Sequence, residues 1–116
     1  DTMEKIFEQA MLYDFYGELL KDNQKEVFEN YVLDNLSLSE IAEERNISRQ
    51  AVYDMIKRAD RALNEYEDKL HLLEKFLTIK EDVNRIHIIP KQLTDSRDRE
   101  LATQIVSITD KILDEL

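Results

Sequence analysis

The sequence predicts an all-α protein: a helix-turn-helix core of about four helices, with a long fourth helix and a C-terminal helical extension. Three observations carry this expectation. One Gly and one Pro in 116 residues leave few tight turns, which excludes all-β folds, Gly-rich phosphate loops and a dinucleotide fingerprint. Apolar residues recur at threes and fours over most of the chain, the helical period. Residues 37–63, SLSEIAEERNISRQAVYDMIKRADRAL, read as a short helix, a turn and a longer helix.

Within that stretch Ser37 and Glu40 stand in the S-x-x-E spacing of a capping box, opening a helix from about Leu38 to Arg45. Asn46 falls where the chain must turn, and Asn tolerates the left-handed conformation better than most residues. Ser48 can cap a second helix that begins at Arg49, and Ile41, Ala42, Ile47, Val52 and Ile56 would pack the two together. On that second helix Val52, Ile56, Ala59 and Leu63 face inward, which puts Arg49, Gln50, Tyr53, Asp54, Lys57 and Arg61 on the opposite side. Arg and Gln in the first turn suit base edges in a major groove, and Lys57 and Arg58 follow where phosphates would lie. The candidate nucleic-acid contacts are therefore Arg49, Gln50, Tyr53, Lys57 and Arg58; a solvated face on a packed hairpin is the alternative.

Charge argues against simple DNA binding. The net charge is −10. Residues 1–36 hold three bases against nine acids, and residues 37–67 five against seven. Within that second stretch residues 49–61 are locally basic, with Arg49, Lys57, Arg58 and Arg61 against Asp54 and Asp60. A DNA reader normally shows a broad basic face.

Upstream, Met3 to Leu20 reads as a first helix with Ile6, Phe7, Ala10, Met11, Phe15 and Leu19 inward. Gly17 inside it costs about 1 kcal/mol against Ala. Asn23 is a candidate N-cap for a second helix, about Gln24 to Leu33, with Val27, Phe28 and Tyr31 apolar. Downstream, Val52, Ile56, Ala59, Leu63, Tyr66, Leu70, Leu73 and Leu77 continue a heptad stripe with no Pro or Gly between Arg49 and Leu77. Thr78 and Glu81 form a second possible capping box for a helix to about Ile88, with Ile86, Ile88 and Ile89 a β-favouring cluster. Pro90 ends that segment, Lys91 to Asp95 is the candidate linker, and a last helix spans about Ser96 to Leu116. The domain reading is a helix-turn-helix domain over 1–67 and a helical extension over 68–116. The extension's stripes, Leu70, Leu73 and Leu77 with Leu101, Ile105, Ile108 and Ile112, predict a homodimer; an intrachain hairpin is the alternative.

Absent cysteines exclude disulfides and thiolate chemistry, while His71 and His87 lack any ligand spacing. No acid/base couple stands out, so the expectation is a non-enzyme without cofactor or metal. With no spanning apolar run and no signal peptide pattern, a cytoplasmic protein without membrane insertion is expected.

SLSEIAEE…ISRQAV resembles the promoter-binding C-terminal region of bacterial housekeeping sigma factors. A closer likeness is to the YlxM family of helix-turn-helix proteins encoded beside signal recognition particle genes. It runs through LYDFYGELL (Leu12 to Leu20), Asn23-Gln24-Lys25, SLSEIAEE, SRQAVYDMIKR (Ser48 to Arg58) and YEDKL (Tyr66 to Leu70). The sigma likeness implies promoter contact, yet Gln50 stands for a Glu, Ala51 and Tyr53 for Arg, and Asp54 for Gln. The YlxM likeness implies a regulatory role in the signal recognition particle pathway. Its partners would be particle components, protein or RNA. Duplex DNA and direct transcriptional regulation are the alternative, and a dimeric scaffold with a silent helix-turn-helix is a third class.

Overall fold

The computed structural model describes residues 3–92 and 96–115, and no strand occurs among the described residues. The helices are α1 (Met3–Tyr16), α2 (Asp22–Val32), α3 (Leu38–Arg45), α4 (Arg49–Leu70), α5 (Leu72–Ile88) and α6 (Ser96–Glu115), with 3-10 turns at Gly17–Leu19 and Ile89–Gln92. No described helix is long and apolar enough to cross a membrane. The chain divides into two compact units, Asp1–Leu73 and Glu74–Leu116.

In the first unit α1, α2 and α3 all pack on α4. Val52, Ile56, Ala59 and Leu63 of α4 are buried against Leu12 and Tyr16, Val27 and Phe28, and Ile41 and Ala42. Each fully buried aliphatic or Phe side chain contributes about 1.5–3 kcal/mol before chain entropy is counted. The face of α4 and the apolar residues of α2 follow the periodicity, with Val32 buried and Tyr31 only partly so. Ile47 does not join the core and is 38 % exposed.

The inward face of α1 differs from the expected one. Gln9, Leu12 and Tyr16 are buried, whereas Phe7, Phe15 and Leu19 are exposed. Hydrogen bonds set that orientation: Gln9 Nε2 donates to Asp60 Oδ1 at 3.1 Å and the Tyr16 hydroxyl to Glu67 Oε1 at 2.6 Å, both on α4. Buried polar groups demand partners, and these two bonds meet that demand for Gln9 Nε2 and the Tyr16 hydroxyl.

α1 also ends earlier than expected, at Tyr16 rather than Leu20. Gly17 lies under the Tyr13 ring: a Cβ there would sit 2.8 Å from Tyr13 Cε1 and 2.9 Å from Cδ1. That ring stacks on Phe28 with centroids 5.9 Å apart, and its hydroxyl donates to Glu29 Oε2 at 2.9 Å. α2 begins ahead of the anticipated cap. Its N-cap is Lys21 without a side-chain hydrogen bond, and Asp22 in the first turn suits the helix dipole.

The uninterrupted helix expected from Arg49 to Leu77 is broken after Leu70. His71 adopts the left-handed conformation (φ 55°, ψ 29°), with its N–H on the Glu67 carbonyl. The next two amides leave the helical ladder: Leu72 N–H donates to Tyr16 Oη at 3.1 Å and Leu73 N–H to Glu67 Oε1 at 3.0 Å. α5 starts there, so Thr78 is mid-helix, its hydroxyl donating to the Glu74 carbonyl at 3.0 Å instead of capping a new helix. Ile86 and Ile88 are helical and Ile89 lies in a 3-10 turn, against their β preference. Of the candidate linker, 93–95 lie outside the described residues. In the second unit Val83, Ala102 and Thr109 are buried, and Thr109 Oγ1 lies 2.7 Å from His87 Nδ1.

Two stability measurements check these packing assignments. Gly17→Ala forces the Tyr13 ring off its seat and should cost about 1–3 kcal/mol, read as a lower urea midpoint. Burial, then the bond to Glu29, pushes the Tyr13 phenol up to about 12 from 10.0. Burial, then the bond to Glu67, raises that of Tyr16. Below 10 both states hold these protons and the stabilisation is intact. Above it the unfolded chain binds fewer protons than the folded one, so stability falls as the pH climbs from about 10 toward 12. The urea midpoint should therefore drop between about pH 9 and about pH 11, and Tyr13→Phe should lessen that drop.

Candidate functional site

The helix-turn-helix forms as its caps dictate. Ser37 Oγ accepts the Glu40 N–H at 3.1 Å while Glu40 Oε1 accepts the Ser37 N–H at 3.1 Å, closing the capping box at the start of α3. Asn46 ends α3 in the left-handed region (φ 55°, ψ 45°), and Ile47 N–H returns to the Ala42 carbonyl at 3.0 Å. Ser48 Oγ then accepts the Ala51 N–H at 3.0 Å and launches α4. A three-residue turn with a left-handed first residue thus fixes the angle at which α4 leaves α3.

All five anticipated contact residues, Arg49, Gln50, Tyr53, Lys57 and Arg58, are exposed on α4. They do not form one row. At about 100° per residue they span roughly half the helix circumference, with Arg49 at the rim of the buried face and Arg58 on the far flank. The structure pairs two of them, Tyr53 with Lys57, and joins a third, Gln50, to Asp54. Gln50 Nε2 donates to Asp54 Oδ1 at 3.0 Å, one turn on. Lys57 Nζ rests 5.4 Å from the Tyr53 ring centroid, a cation–π geometry. Asp54 therefore holds one of the two amide donors of Gln50 and sits in the middle of the exposed face.

The neighbouring helix adds negative charge. Glu40, Glu43 and Glu44 of α3 are exposed and, with Leu36, line a shallow groove. Arg45, which could offset them, is partly buried and bonded to Glu26 Oε2 at 3.3 Å. The first helix of a DNA-reading helix-turn-helix crosses the phosphate backbone, where these carboxylates would meet like charge. No cluster able to hold a metal ion occurs among the described residues.

Of the anticipated dimer residues, Leu70 and Leu77 are exposed, Leu73 is buried at the end of the first unit, and Leu101, Ile105 and Ile108 are exposed along one side of α6. Sequence reasoning missed a second feature on α4, the Gln9–Asp60 bond and the groove beside it. Its only signal was a polar residue in the middle of the apolar period of α1.

Residues 3–105 match the UPF0122 family, described as "Putative helix-turn-helix protein, YlxM / p13 like". The chain is 43 % identical over 107 residues to a UPF0122 protein of Thermoanaerobacter sp. (strain X514), covering 92 % of this chain and 89 % of that one. It is also 43 % identical over 112 residues to the UPF0122 protein YlxM of Bacillus subtilis (strain 168), covering 96 % and 98 %. A UPF0122 protein of Bacillus cereus (strain 03BB102) is 55 % identical over 74 residues, covering 64 % and 67 %. With its caps, left-handed turn and buried helix pair in the arrangement described, the chain belongs to the UPF0122 family of YlxM-like helix-turn-helix proteins.

Proposed function

We propose that this protein is a cytoplasmic, non-enzymatic regulator of the signal recognition particle pathway, docking on a particle component through its helix-turn-helix unit. The YlxM resemblance supports the choice of pathway. The observation that carries the docking mode is the charge around α4: a small basic spot interrupted by Asp54, with exposed carboxylates on the neighbouring α3. Such a surface suits a partner with a basic patch, and the acidic field would speed encounter at low salt. Direct DNA reading is the second proposal, favoured by the exposure of Arg49, Tyr53, Lys57 and Arg58 along α4.

A pull-down of purified particle GTPases and particle RNA, with a duplex DNA arm at the same salt, separates the two. The first proposal expects retention by a particle component that weakens with added salt. Folded protein that binds none of them at low salt overturns it. If nucleic acid is the ligand, replacing Lys57 and Arg58 by Ala should weaken binding evenly across sequences and flatten its salt dependence. Unchanged affinity in that double variant removes this face from the account.

We further propose that the protein works as a homodimer closed through its C-terminal unit. The packing of that unit supports this. Val83, Ala102 and Thr109 are buried there, while Leu101, Ile105, Ile108 and Ile112 of α6 and Ile79 and Ile86 of α5 stay exposed. An apolar stripe of this length on a soluble protein marks an interaction surface. Light scattering at micromolar concentration should give about twice the 13.8 kDa chain mass. Ile105→Asp with Ile108→Asp should give a folded monomer. A wild-type mass near one chain overturns the dimer.

A further inference from the structure

We propose that the groove between α1 and α4 binds a cationic side chain, an arginine, presented by the partner protein. Glu4, Lys5 and Glu8 of α1 and Asp60 and Asn64 of α4 line this groove of about 420 Å³, with Gln9 among its walls. Three carboxylates face one ammonium. Gln9 is only 4 % exposed; its Nε2 donates to Asp60 Oδ1 at 3.1 Å, but its Oε1 is buried without a hydrogen-bond partner. A buried amide oxygen left unpaired is costly, so a donor arriving here relieves a cost already present. Asn64 Nδ2 donates to the Asp60 carbonyl at 2.8 Å, which engages one of its two amide hydrogens.

The chemistry of the missing group follows from its surroundings. It must donate several hydrogen bonds, carry positive charge and reach into the groove. A guanidinium on a long stem does all three, its planar set of donors able to serve Gln9 Oε1 and a carboxylate together. At about 100° per residue, Asp60 and Asn64 lie on the same flank of α4 as Arg49 and Tyr53, roughly two turns beyond Tyr53. One extended segment could therefore contact both. Phosphate would be repelled at the acidic end. The inference rests on the reading above that the partner is basic, and it narrows that partner to protein in place of RNA.

The probe is the blocked tripeptide acetyl-Gly-Arg-Gly-amide, with Gln replacing Arg in the control, titrated into the full chain while the side-chain amide signals of Gln9 are followed by NMR. A saturable shift at Gln9 with the Arg peptide and none with the control is expected. Affinity should fall by about threefold to tenfold in Glu8→Gln and in Asp60→Asn and fall further with added salt. Glu8 is exposed, so its variant decides the matter should Asp60→Asn fail to fold. Absence of a saturable shift at Gln9, or unchanged affinity in the folded variants, overturns the proposal. No particle component enters this titration, so it can fail while the pull-down succeeds, or the reverse.

Discussion

A buried phenol holds the first unit together. The Tyr16 hydroxyl donates to Glu67 and accepts from the Leu72 amide, and the same Glu67 oxygen accepts from Leu73. Three helices meet at this one pair of side chains: α1 supplies the phenol, α4 the carboxylate and α5 its first two amides. A helix start leaves amides unpaired, and burying them without partners would be costly. The pair meets that demand and thereby decides where α4 can stop. It also sets the rotation of α1, because Tyr16 can reach Glu67 only with Leu12 and Gln9 turned toward the same helix.

Built on that anchor, the helix-turn-helix is rigid where it is capped and open where it would act. The same α4 that buries Val52 to Leu63 offers its other side to solvent, so the outer side chains are held on a fixed backbone. What they offer is mixed in sign. Gln50 is engaged by Asp54 and Lys57 leans on Tyr53, while Arg49 and Arg58 are exposed beside them. This fold is shared by proteins with unrelated ligands, and here the charge pattern discriminates between them better than the fold.

Much of this was legible from spacing alone where the relevant chemistry is local. The capping box at Ser37 and Glu40, the left-handed Asn46 and the Ser48 cap each depend on residues within a few positions of one another. The buried stripe of α4 was equally plain as periodicity. Failures came where a distant partner overrides the local pattern. Phe7, Phe15 and Leu19 looked like the core of α1, but Tyr16 and Gln9 find partners more than fifty positions away. The heptad from Val52 to Leu77 had no visible stop, since the stop is imposed by Tyr16 and a left-handed His71. Of the candidate site, the exposed residues of α4 were readable, whereas the groove at Gln9 needed two helices brought together.

The hydrogen bond between Gln50 and Asp54 has a bearing on how this surface can change over evolutionary time. Two side chains one turn apart that satisfy each other act as a single unit of the exposed surface. On an isolated helix such a pair is worth only about 0.2–0.5 kcal/mol, too little for folding to defend it. Substitution at either position alone would scarcely be noticed by the folded chain, yet it would release a free amide or a bare carboxylate at the centre of the exposed face of α4. Positions 50 and 54 are thus expected to drift together, and a lineage that breaks the pair changes the character of this surface before it changes its stability.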